Sequence, residues 1–68
     1  MSREVESEIK GAIAFHFNAI VAKAKANLKN YCYNSVGVAE HPDVVAECIK
    51  LVEEIDHAQS CLDALSEL

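Results

Sequence analysis

The chain has 68 residues, 51% of them apolar, with 11 acidic side chains against 6 Lys and Arg and a formal net charge of −5. A chain this short forms one domain at most, residues 1–68, and buries only about 60% of the surface its unfolded form exposes, so it needs a staple or a partner to be stable. The acidic balance argues against a general nucleic-acid coat, and two glycines and one proline in a half-apolar sequence argue against disorder.

In chain order, Ser2 is suited to cap a helix whose first turn carries Glu4 and Glu6, which complement the positive end of the helix dipole. The pattern then runs to about Tyr33 and predicts a helix over residues 3–33. Gly11 interrupts it at a cost of about 1 kcal/mol relative to alanine, which does not end a helix. Ile9, Ile13, Phe17, Ile20, Ala24, Leu28 and Tyr31 recur at steps of 4, 4, 3, 4, 4 and 3, and are read as its core stripe.

The central stretch of this helix, AIAFHFNAIVAKAKANL, Ala12 to Leu28, is apolar on nearly every side. At 17 residues, with Lys23 and Lys25 inside it, it falls short of the roughly 20 uncharged residues a membrane span requires. No membrane association is expected. At about 100° per residue, Phe15, Ala19, Ala22 and Ala26 form a second apolar face roughly opposite the core stripe. A hairpin gives its first helix one neighbour, so a second apolar face calls for another chain, and alanines permit close approach within a symmetric assembly. The chain is therefore expected to be a homo-oligomer, most simply a dimer forming a four-helix bundle.

Chain punctuation concentrates in NSVGVAEHPD, Asn34 to Asp43, which holds Gly37 and Pro42 and predicts a turn over residues 34–41. Pro42 suits a first helical position, where its missing N–H is not needed, and Asp43 and Glu47 favour a helix start. The second helix is predicted over residues 42–66. Its apolar residues Val44, Cys48, Leu51, Ile55, Ala58, Leu62 and Leu65 follow at steps of 4, 3, 4, 3, 4 and 3, the seam of a left-handed coiled coil or bundle. Two such helices, roughly 45 and 38 Å long at 1.5 Å per residue, can pair in antiparallel fashion, and the predicted fold is an all-α antiparallel helical hairpin. Residues 10–39 carry Lys10, Lys23, Lys25 and Lys29 with no acid, whereas residues 40–68 carry eight acids and Lys50. The two halves should attract, although exposed charge commonly does no more than solvate a face.

Polar residues on the first helix define a candidate binding edge. His16, Lys23 and Asn27 share one side at spacings of seven and four and suit an anionic or hydrogen-bonding ligand. Against this, a histidine at that position is readily explained as bordering the core and pairing with an acid of the second helix. Asn18 lies with Lys25 and Lys29 toward solvent, or sets register as a buried polar residue in an oligomer seam; Lys23, Lys25 and Lys29 form the patch a nucleic acid would contact, with Tyr33 beside Lys29 as a candidate for stacking a base. Tyr31 lies in the core stripe with its hydroxyl at the rim.

Signatures of catalysis are missing: no glycine-rich phosphate loop, nucleophile elbow or His-Glu-x-x-His occurs, and the chain is not expected to be an enzyme or to carry a cofactor. Glu53, His57 and Cys61 step along one helix edge at intervals of four, yet on an exposed helix they would meet water without an oxyanion hole. Cys32, His41, Cys48 and His57 have metal-ligating side chains without the tight spacing of a structural zinc site, so no metal is expected. Cys48 is better explained as a small hydrophobe in the seam. With Cys32, Cys48 and Cys61 odd in number and no secretory signal pattern, the expected setting is a reducing cytoplasm.

In length, acidity and hairpin plan the chain resembles the Rop family of plasmid RNA-binding bundles. Its segment CIKLVEEIDHAQSCL is similar to the hairpin domains of phage proteins that sequester cyclic oligonucleotides. Neither resemblance carries a functional residue across. What they imply is a small phage- or plasmid-type oligomer that binds a nucleic acid, a nucleotide or a host protein. The expectation drawn from the residues is a non-enzymatic interaction, adaptor or inhibitor protein that binds a partner protein, with Glu47, Glu53, Glu54, Asp56 and Asp63 offered to a basic surface. The alternative is an oligomeric hairpin binding a nucleotide or RNA through the Lys, His and Asn edge.

Overall fold

Ser2 opens the first helix. Its Oγ accepts the amide of Val5 at 3.2 Å and its carbonyl accepts that of Glu6 at 3.1 Å, supplying acceptors for amides that have no partner inside a helix. From there the chain is helical over Arg3–Tyr33, α1. The structure is a computed structural model that describes residues 2–33 and 43–68. The predicted turn, His41 and Pro42 lie outside those residues.

The second helix, α2, spans Val44–Ser66 and has Asp43 as its N-cap, with the carboxylate Oδ1 accepting the amide of Ala46 at 2.9 Å. The helix therefore begins two positions after the start expected at Pro42. An aspartate cap satisfies a first-turn amide directly, which decides where the helical hydrogen-bond pattern can begin. At the other end the amide of Glu67 reaches the Ala64 carbonyl at 3.3 Å and that of Leu68 reaches Leu65 at 3.1 Å, closing the last turn.

The two helices pack against each other in a hairpin 52 × 16 × 14 Å in extent. At the end away from the turn, Lys10 Nζ donates to the Leu68 carbonyl oxygen at 3.2 Å, a contact across the antiparallel pair.

On α2 all seven predicted seam residues are covered to some degree, with Ala58 0% exposed. On α1 the covered row is Lys10, Ala14, Phe17, Val21, Ala24, Leu28 and Tyr31, flanked by a half-buried Ile20. Its steps are 4, 3, 4, 3, 4 and 3, the period of α2. Ile9 and Ile13, expected in the core, stand 45% and 39% exposed. The reason is geometric: two helices mesh over several turns only if both contact rows keep the same mean period of 3.5. A row stepping 4, 4, 3 drifts around the helix, and one position along, Lys10 and Ala14 lie against α2 instead.

The resulting core is thin. Among the described residues only Ala24 and Ala58 are fully buried, and no large side chain is. Small residues at mid-seam let the helix backbones approach closely, but they remove little apolar surface from water.

Candidate interaction surface

Four apolar or charged surfaces remain outside the seam. The first is the outer face of α1, where Phe15 is 79% exposed and Ala19, Ala22 and Ala26 are all exposed. With Phe17, Ala24 and Leu28 turned toward α2, these four residues lie on the far side of the helix. The second is a flank of α1 on which Val5, Ile9 and Ile13 follow at steps of four, each about two-fifths exposed.

The third surface was not anticipated from the sequence. Val45, Ile49 and Val52 are 70%, 52% and 53% exposed. With Val44, Cys48 and Glu53 they wall an open groove of about 350 Å³ at the start of α2. The signal was present as a second apolar row one position beyond the seam, at steps of 4 and 3. Beside a strong seam it reads as the edge of the same stripe, and only the packing shows that α1 leaves it uncovered.

The fourth surface is charged. Among the described residues the ion pairs are Lys10 to Glu6 at 2.9 Å and Lys50 to Glu47 at 3.7 Å, each within one helix. The expected attraction between the two halves thus produces no ion pair across the hairpin among these residues. Lys23, Lys25 and Lys29 are exposed on α1, and Glu53, Glu54, Asp56 and Asp63 are exposed on α2. Both charge sets face solvent.

His16 and Asn27 are exposed on α1 along with Lys23. The imidazole of His16 packs edge-on against Phe17, with ring centroids 4.9 Å apart and planes at 84°, so its neighbour is an aromatic ring where an acid of α2 was expected. Asn27 lies eleven positions after His16, about 16 Å along the helix axis, too far for a single small anion to touch both. Tyr33 is 86% exposed at the end of α1, while Tyr31 is half-buried in the seam.

On α2 the Glu53, His57 and Cys61 edge holds one contact, Cys61 Sγ to His57 Nε2 at 3.7 Å. Glu53 instead belongs to the wall of the groove. Among the described residues no three His, Cys, Asp or Glu side chains are grouped to hold a metal ion, and no helix is long and apolar enough to cross a membrane. No protein family matches the chain, and comparisons with curated proteins and with solved structures find no match.

Proposed function

We propose that this chain is a non-enzymatic interaction protein, an adaptor or inhibitor, that works as a self-assembled helical hairpin and binds a partner protein. The observation that carries the reading is the surface it leaves uncovered. Two alanines form the whole fully buried core among the described residues, while Phe15, Val45, Ile49 and Val52 are each more than half exposed. Phe15, Ala19, Ala22 and Ala26 supply the face for a second copy, giving a dimer with a four-helix core. The acidic residues Glu53, Glu54, Asp56 and Asp63 remain on the outside for a basic partner, where complementary charge speeds encounter and selects among partners.

The test is the mass in solution by light scattering across a micromolar concentration series, with circular dichroism on the same samples. A defined, strongly helical dimer or larger oligomer is expected, and Phe15→Glu with Ala22→Glu should lower its mass toward one chain. A helical monomer at every concentration overturns the assembly. The second reading, a nucleotide or RNA ligand, is favoured by Lys23, Lys25 and Lys29, which have no ion-pair partner among the described residues. The span from His16 to Asn27 suits an extended phosphodiester strand better than a single phosphate. A short RNA that raises the melting temperature supports this second reading, because a ligand stabilises the state it binds.

A further inference from the structure

We propose that two copies of the chain pair through the outer face of α1, antiparallel and about a two-fold axis at Ala19, so that each Glu8 meets the partner's Lys29. The pairing rests on self-assembly through Phe15, Ala19, Ala22 and Ala26, and adds its direction, register and charge contacts. Those four residues are the middle of a longer row. The same alternating steps of 3 and 4 extend it back through Ala12 and Glu8 to Val5 and forward through Lys29 to Tyr33. Every member is exposed, Val5 by 42%, Phe15 by 79% and Tyr33 by 86%. Its mean period of 3.5 is that of the seam on the opposite side of α1, so it can mesh with a second helix over its whole length.

What covers the row follows from its order. It is self-complementary about Ala19: Val5 and Tyr33 lie 14 residues to either side, Ala12 and Ala26 seven, Glu8 and Lys29 eleven and ten, Phe15 and Ala22 four and three. A two-fold axis makes residue i meet j where j meets i. Turned end for end on itself, the row sets Phe15 against the partner's Ala22, a large side chain opposite a small one, and Val5 against the partner's Tyr33. Glu8 and Lys29 are both exposed and have no ion-pair partner among the described residues. At 1.5 Å per residue they lie about 17 and 15 Å from the axis, level enough for both pairs to close at once. A parallel pair would set Glu8 against Glu8 and Lys29 against Lys29, and like charges face to face repel. The row of Val45, Ile49 and Val52 is a poorer mate for its own copy, because Asp56 and Asp63 continue it and it has no cation to oppose them. In the proposed pair each α1 has a helix on both sides, its own α2 and the partner's α1.

The experiment is charge reversal in the full chain, read by the dimer dissociation constant from sedimentation or light scattering. Glu8→Lys alone and Lys29→Glu alone each turn both charge contacts repulsive, and each should raise the constant by about tenfold. An equimolar mixture of the two variants should recover the native value, because each contact again joins opposite charges. Ala19→Cys gives a second measure. Oxidised in air, it should yield a disulfide between two copies of tryptic peptide 11–23, which holds no native cysteine. A dimer that Phe15→Glu with Ala22→Glu dissociates, but that neither charge reversal weakens, leaves self-assembly standing and overturns this pairing. A mixture that binds no more tightly than its components overturns it too, as does a disulfide joining peptide 11–23 to the Cys61 peptide 51–68. A native chain that is monomeric at every concentration overturns both the pairing and the self-assembly beneath it.

Discussion

The Lys10 ammonium lies 3.2 Å from the Leu68 carbonyl oxygen and 2.9 Å from Glu6 Oε1, so one side chain ties the start of α1 to the chain just beyond α2. It does so from a seam position, where its alkyl stem lies along the interface and its charged end reaches the rim. Lys10→Ala should lower stability by about 1 kcal/mol, combining a partly exposed ion pair with one charge-assisted hydrogen bond. Thermal unfolding followed by circular dichroism should register a drop of several degrees. Amide exchange should quicken over residues 64–68 before it does elsewhere.

Gly11 offers the opposite test. It is exposed within α1, and a Cβ built there meets nothing within 4 Å. Alanine restricts the unfolded backbone and favours the helix, so Gly11→Ala should stabilise the chain by roughly 0.5–1 kcal/mol. The melting temperature should rise by several degrees with the solution mass unchanged.

Ala58 is 0% exposed, and the seam has no room beside it. Ala58→Leu should force the helices apart at a cost of about 1–3 kcal/mol. Ala64 is on the same helix but exposed, and Ala64→Leu should change stability by no more than about 0.5 kcal/mol. Comparable losses in the two variants, measured by urea unfolding, would contradict the packing described.

Stability should also decline at alkaline pH through Cys48. Its thiol is raised above the ordinary value of 9.0 by desolvation first, then by Cys32 and by Glu47. The folded chain thus holds this proton more tightly than the unfolded chain does. The contribution is complete below pH 9 and is lost as pH climbs through the folded value. Under reducing conditions, the melting temperature of the native chain should fall faster above pH 9 than that of Cys48→Val. Parallel slopes would show that Cys48 does not contribute.

Much of α2 was legible before folding. Its seam residues repeat at 4, 3, 4, 3, 4 and 3 over the whole helix, whereas the neighbouring row Val45, Ile49 and Val52 covers only its first half, so the longer stripe reads as the seam. The same was untrue of α1, where AIAFHFNAIVAKAKANL offers apolar residues in nearly every direction. Choosing the largest of them selected Ile9 and Ile13 and passed over Lys10, Ala14 and Val21. A lysine and an alanine carry too little hydrophobic signal to mark a seam by themselves, and the mate's period had to select them.

The sequence by itself determined two long helices, an antiparallel hairpin and an outer face of Phe15 and alanines, because helix periodicity and capping are local and need no partner. Tertiary packing decided which row of α1 meets α2, and that Val45, Ile49 and Val52 stay uncovered. Those relations depend on the register of one helix against the other, and register is a property of two interlocking surfaces that neither helix encodes alone.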